Sequence, residues 1–384
     1  MKVLVIPSWF PNKYNLNSGI FVREQVTLMK EAGYNVTVLA ALPISIKRVH
    51  LKKNIAYSAH ENIRLFLNIP FFEVLNMLLR FVFGIQLFET LKKKEGLPDI
   101  IHAHTYSQAF LVRYLSKKYK IPYLVTEHYS KAMDQSRLGR IQFSIARAFY
   151  KSSVVNIAVS DSQKQKMEQL YSVGFTIVPN FIDVSIFHPS SSQKSKKVSP
   201  RVKLLSVGNM LENKGFHLVI GALAILNKSR SIYELEIIGE GPYRRQLESL
   251  GDFKNNSKDI HLLGSIPNHE LVSHYQNADC YIAASKIETF GITVLEALAC
   301  GTPVVVTAEN HKRIVENNVY GIHSARTSES IANAIINATR LNTSPEAMHD
   351  FIESEYSSDR VIEHLGKIYL QVIRRSTNHS NESD

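Results

Sequence analysis

The chain has 384 residues, 45% of them hydrophobic and 21% charged, which is too long for one ordinary core and suits two globular domains rather than a disordered polymer. Its two cysteines, Cys280 and Cys300, lie in apolar runs, so they read as buried thiols of a cytoplasmic protein and not as a disulfide or metal framework. The net charge of +11 is uneven: residues 1–183 carry 24 Lys/Arg against 12 Asp/Glu, and residues 203–384 carry 17 against 22, so the first half is expected to face something anionic.

Lys2-Val3-Leu4-Val5-Ile6 is a short continuous apolar run of the kind that forms a fully buried parallel strand. Pro7 and the polar Pro11-Asn12-Lys13-Tyr14-Asn15 break it short of the roughly 7–15 apolar residues of a signal core, so it is read as a strand and not a leader. A loop to Gly19 follows, then a helix over 21–32 stopped by Gly33, and a strand over 35–40. Residues 63–91 come nearest to a membrane span, but Arg64, Glu73, Asn76, Arg80 and Glu89 interrupt the ~20 apolar residues that crossing requires. Phe71, Phe72, Val74, Leu75, Leu78, Leu79, Val82 and Phe83 recur there with helical spacing and end in Lys92-Lys93-Lys94. Two readings stand: a core helix with a solvated end, or an interfacial helix that holds the chain against anionic lipid at the inner face of the membrane. Nucleic acid is the poorer anionic partner, because no recognised binding motif or Arg-rich helix occurs. Further strands are expected at 100–103, 123–126, 156–159 and 175–178.

Residues 184–202 are polar and without apolar periodicity, and read as a linker between domains at 1–183 and 203–358. A second series is expected as a strand at 202–207, a helix at 215–227 and strands at 234–238, 260–263, 280–283 and 303–306. A last helix over 359–375 precedes a polar tail, 376–384, read as disordered. Strands alternating with helices in both series imply two parallel sheets, each covered by helices on both faces.

The chemistry-bearing residues gather at strand ends, where open α/β sheets place ligands. Ser285-Lys286-Ile287-Glu288-Thr289-Phe290-Gly291-Ile292-Thr293 leads from an apolar strand into a helix that carries Glu296. Free backbone N–H groups at such a helix start bind phosphate without side chains. A carboxylate accepts from both hydroxyls of a vicinal diol, so Glu288 and Glu296 can hold two parts of one elongated ligand. Val207-Gly208-Asn209-Met210-Leu211-Glu212-Asn213-Lys214-Gly215 adds a glycine turn and a lysine suited to a diphosphate. Ile238-Gly239-Glu240-Gly241-Pro242 and Leu262-Leu263-Gly264-Ser265-Ile266 are further turns after strands. In the first half, Ser18-Gly19, His102-Ala103-His104 and Thr126-Glu127-His128 hold equivalent places. A zinc site is disfavoured, since the histidines lie on separate elements with no Cys partner.

The run from Glu288 to Glu296, completed by Gly301-Thr302-Pro303-Val304-Val305, resembles the signature of glycosyltransferase family 4, as do the Lys214-Gly215 loop, the Gly239–Pro242 turn and Val178-Pro179-Asn180-Phe181-Ile182-Asp183. Asn209 stands where Arg is commonest in the family, and Phe181 where Gly is usual. The Pro7-Ser8-Trp9-Phe10 run resembles members that build bacterial surface polysaccharides. The resemblance implies the GT-B fold: two Rossmann-like domains facing one another across a cleft, with the last helix returning to the first domain. It implies retaining, metal-independent transfer of a hexose-type sugar from a UDP- or GDP-linked donor to a glycan or lipid-linked acceptor, with no cofactor. Glu288 would contact the donor sugar, Glu296 the ribose without core contacts of its own, and His128 the sugar near C1. Lys214, Asn209, Gly19 and the Phe290, Gly291, Ile292 and Thr293 segment would hold the phosphates, and Ser265 and Ile266 the base. A nucleotide-sugar 2-epimerase and a non-catalytic partner subunit on the same fold remain alternatives.

Overall fold

A computed structural model describes residues 1–15, 18–45, 62–190, 201–228, 232–311, 314–315 and 319–381. The central part of the expected linker, 191–200, and the last three residues of the expected tail lie outside the described residues. The chain divides into two compact units, Met1–Pro179 with Val361–Asp384, and Asn180–Arg360.

Unit 1 is built on seven parallel strands: β1 (Lys2–Ile6), β2 (Asn35–Ile44), β3 (Asn62–Leu67), β4 (Ile100–His104), β5 (Tyr123–Glu127), β6 (Val155–Ala158) and β7 (Thr176–Ile177). Their order is β3-β2-β1-β4-β5-β6-β7. Every residue of β4, β5 and β6 is buried, as expected of strands covered on both faces. The order reverses between β1 and β4, and that reversal opens the crevice in which such sheets place ligands. β3 was not expected; only Phe66 of it is buried, and Leu65-Phe66-Leu67 breaks the alternation begun by Ile63-Arg64, so this edge strand leaves no clear period-2 signal.

The helix Glu73–Glu95 resolves the two readings of residues 71–94 into two faces. Met77, Arg80, Gly84, Phe88 and Leu91 are buried, while Leu75, Leu78 and Val82 on the opposite face, and Phe71 and Phe72 before it, are exposed. By length and composition this helix could cross a membrane, yet one full face of it belongs to the core of unit 1.

The final helix, Ser358–Asn381, returns to unit 1. Val361, Leu365, Ile368, Tyr369 and Val372 form its buried stripe, and the Tyr369 hydroxyl lies 2.7 Å from His102 Nδ1. It continues past residue 375, because Ser376-Thr377-Asn378 contains neither Pro nor Gly to stop it.

Unit 2 carries β8 (Val202–Val207), β9 (Tyr233–Ile238), β10 (Ile260–Gly264), β11 (Cys280–Ala283), β12 (Val304–Val306) and β13 (Gly321–His323). All are parallel, in the order β10-β9-β8-β11-β12-β13, so the reversal falls between β8 and β11. The helices Phe216–Asn227 and Ser328–Ala338 pack together on one face, where Ser328 Oγ donates to Leu218 O at 3.0 Å. Residues 180–190 belong to this unit: Phe187 is buried against Tyr275, and Gln276 Nε2 donates to His188 O at 2.7 Å. Both cysteines are buried, free thiols. At three residues, β13 is too short to leave a pattern of its own.

Candidate active site

In unit 2 the three turns after β8, β9 and β10 join through their backbones. Met210 N donates to Glu240 O at 2.9 Å and Gly239 N to Gly264 O at 2.8 Å. Asn209, at the rim of this platform, is exposed. Ser265 is exposed and Ile266 half-buried beyond the end of β10, two strands removed from the reversal.

At the reversal itself, Lys214 Nζ lies 2.6 Å from Glu288 Oε2. The two side chains are about a quarter and a fifth exposed, and with Ser285, Gly291, Thr293 and His311 they line a cavity of about 20 Å³. That is room for a single water, so the ion pair fills the space between the two side chains. Gly291 opens the helix Ile292–Ala299 with φ 80, and no side chain caps that end. A Cβ on Gly291 would come within 1.9 Å of His311 Nε2, so only glycine lets this helix start meet its brace. The brace is a hydrogen bond of 2.8 Å from His311 Nε2 to Phe290 O. Phe290 is buried, whereas Gly291, Ile292 and Thr293 are half-buried. Thr293 Oγ1 lies 2.7 Å from the Tyr281 hydroxyl.

Glu296 differs from the expectation of a residue without core contacts. It is only 4% exposed, and the Tyr275 hydroxyl donates to its Oε2 at 2.7 Å. It lies within the helix and not at its open end, and a carboxylate there needs a buried donor. Replacing it therefore removes an internal bond as well as any ligand bond.

Unit 1 brings its histidines together. His104 Nδ1 lies 3.0 Å from His128 Nε2 with the rings nearly parallel. His102 stacks on His104 at 4.4 Å and binds Thr126 Oγ1 and the Tyr369 hydroxyl, each at 2.7 Å. Burial holds His102 and His128 down at about 3, and His104 well below its usual value, so all three are neutral at physiological pH. Glu127 turns into the core and accepts from Tyr106 N, His128 N, Tyr129 N and the Tyr150 hydroxyl. Burial pushes its carboxyl up to about 7 against those four donors. Glu127 thus sets the loop that presents His128. At the reversal, Ser8 Oγ meets Thr105 Oγ1 at 2.7 Å, with Thr105 held at φ 75, a conformation that is costly for a β-branched residue. Gly19 caps the helix Ile20–Glu31, and a Cβ there would stand 2.3 Å from Trp9 O. The chain thus assembles Lys214, Glu288 and Gly291 in unit 2, while His128 lies in unit 1 against Phe21, in the helix that Gly19 caps. His104, Glu127 and His311, none of them singled out as site residues from sequence, hold these groups in place. Among the described residues, no three His, Cys, Asp or Glu side chains converge as a metal would require.

Residues 18–186 match Glycosyltransferase Family 4 and residues 188–357 match Glycosyl transferases group 1. The chain is a glycosyltransferase of the GT-B type. It is 24% identical over 329 residues to the Bacillus subtilis chain named as teichuronic acid biosynthesis glycosyltransferase TuaC, covering 80% of this chain and 81% of that one. Alpha-monoglucosyldiacylglycerol synthase of Acholeplasma laidlawii is 26% identical over 314 residues, 74% of this chain and 78% of the relative. Among solved structures, sucrose-phosphate synthase from Thermosynechococcus elongatus superposes with a TM-score of 0.80 at 18% identity, over 98% of this chain and 100% of that one. HepE from Anabaena, solved with UDP and glucose, gives 0.72 at 16% identity over 97% and 100%.

Proposed function

We propose that this glycosyltransferase moves a hexose-type sugar, with retention of anomeric configuration, from a UDP- or GDP-linked donor to a glycan or lipid-linked acceptor in surface polysaccharide synthesis. The Lys214–Glu288 pair at the open helix start of Gly291 carries the reading. A cation and unpaired N–H groups stand ready for a leaving diphosphate, with a carboxylate beside them for sugar hydroxyls. The leaving charge would be met by Lys214 and the backbone without a metal or cofactor, an electrostatic contribution of the largest catalytic kind. The names of the Bacillus and Acholeplasma relatives support a surface-glycan or lipid acceptor. So does the exposed face formed by Phe71, Phe72, Leu75, Leu78 and Val82, with Lys93 and Lys94 exposed at the far end of the same helix. Such a face would rest on the inner surface of an anionic membrane in the cytoplasm. The test is donor consumption across a panel of UDP- and GDP-sugars with and without excess EDTA. Turnover unchanged by EDTA is expected; activity lost to EDTA and restored by Mn²⁺ would mean that the phosphates are held by a metal.

A further inference from the structure

The helix Ile292–Ala299, which starts at Gly291, is held from behind by two buried tyrosines. Tyr281 belongs to β11 and Tyr275 to the helix Leu271–Asn277. Their rings meet edge to face with centroids 5.6 Å apart. Each hydroxyl ends on a side chain of the first helix: Tyr281 on Thr293 Oγ1 and Tyr275 on Glu296 Oε2, both at 2.7 Å. Thr293 and Glu296 are three residues apart and so share a face of that helix. The tyrosine pair therefore fixes its rotation at two points, one in the first turn and one a turn deeper.

Tyr275 cannot touch a ligand itself, since none of its surface is exposed. Its place is locked: Thr302 Oγ1 donates to its carbonyl at 2.6 Å, and Phe187 packs edge to face on its ring at 6.1 Å. Burial, with the Glu296 charge beside it, holds the phenol well above its usual value, so the proton stays on the hydroxyl for Glu296 to accept. Glu296 is 4% exposed, and a carboxylate so deep is costly beside an apolar residue of like volume. What the arrangement secures is direction. With Oε2 tied to a group that does not move, the carboxylate plane is set before a ligand arrives. Each carboxylate oxygen has room for two donors, so Oε2 can serve Tyr275 and a ligand hydroxyl together. The ligand that gains most from a carboxylate held at a fixed angle is a vicinal diol, which must present two hydroxyls to it at once.

We infer that Tyr275 is a positioning residue for nucleotide recognition, acting through Glu296 to make the site select ribose over 2′-deoxyribose. The inference rests on the proposed reading in which Glu296 accepts from the ribose hydroxyls. The test is calorimetric titration of the full chain with UDP, GDP and their 2′-deoxy counterparts, with no sugar donor or acceptor present, and the base that binds is carried into the variants. The wild type should bind the ribonucleotide at least about tenfold more tightly than its deoxy analogue, because the missing hydroxyl leaves a buried acceptor unpaired. Tyr275→Phe keeps the ring and removes the hydroxyl. It should cut that ratio to about twofold, mainly by weakening the ribonucleotide, with deoxynucleotide affinity nearly unchanged. Tyr275→Met, also apolar and pliable enough to fill the space, should give the same ratio and serves if the first variant does not fold. Tyr281→Phe, which breaks the bond to Thr293 instead, should leave the ratio intact. A Tyr275 of purely structural use would lower the melting temperature, or weaken both nucleotides alike, without moving the ratio, and that result overturns the inference. Glu296→Ala tells this failure from that of the underlying reading. A ratio lost in Glu296→Ala but kept without the Tyr275 hydroxyl sinks the inference alone; a ratio kept in Glu296→Ala sinks the ribose reading and the inference with it.

Discussion

His128 shares its Nε2 with His104 and lies against Phe21 at 4.8 Å, so its substitution disturbs packing as well as chemistry. The two effects separate by measurement. Leaving His104 Nδ1 unpaired costs about 1–3 kcal/mol, which lowers the melting temperature. Loss of a group that acts mainly in the transition state lowers kcat per folded molecule. We expect His128→Ala to lose about 10²-fold or more in kcat, with nucleotide affinity within a few-fold, since Lys214 and Glu288 belong to the other unit. A destabilised variant with near-normal kcat per folded molecule would remove His128 from the mechanism. His128 could be singled out from sequence through the resemblance to the family, in which a histidine at this strand end faces the sugar near C1. The roles of His104 and Glu127 could not, since nothing local shows which way a strand-end side chain turns.

At the scale of elements, the ends of β4 and β5 hold three neutral buried histidines and one buried carboxylic acid, and their proton linkages oppose one another. The histidines fold with lowered values, so their contribution is complete above the unfolded value of about 6.5 and is lost as pH falls below it. Glu127 folds with a raised value, so its contribution is present below its unfolded value of about 4.3 and is lost as pH rises towards about 7. Three groups outweigh one. The melting temperature should therefore fall steadily from pH 6.5 to pH 4.5, and the fall should steepen in Glu127→Gln, which lacks the opposing group. A melting temperature that holds level or rises over that interval would show that the histidines are not buried neutral. Most of the element pattern was legible because β1 and β11 are apolar runs, and β8 a mostly apolar one, that end in turn residues. β3 was missed because Leu65-Phe66-Leu67 breaks its alternation and β13 because it is short, and the helix Glu73–Glu95 carries apolar residues on two faces for two different reasons, which periodicity alone merges into one.

Across the whole molecule, each unit repeats one device: a parallel sheet whose strand order reverses beside the residues that carry chemistry. The groups expected on the donor side were singled out by the resemblance of the run from Glu288 to Val305 and of the Lys214-Gly215 loop to the family's signature, not by their local chemistry alone. The contact between Lys214 and Glu288, separated by 74 residues, was not, because it depends on β8 and β11 lying side by side. Nor was the burial of Glu296 on Tyr275, which arises only when two helices pack. We propose that sugar is transferred with retention at the Lys214–Glu288 site. Proton NMR of the reaction with a competent donor and a sugar glycoside acceptor tests it most directly, by following the anomeric signal of the new bond in the wild type, Lys214→Ala and Glu288→Gln. The account predicts a product with the donor's own anomeric configuration, at a rate reduced at least 10²-fold in both variants while they remain folded. An inverted product, free epimerised sugar released without acceptor, or undiminished transfer by the two variants would contradict it.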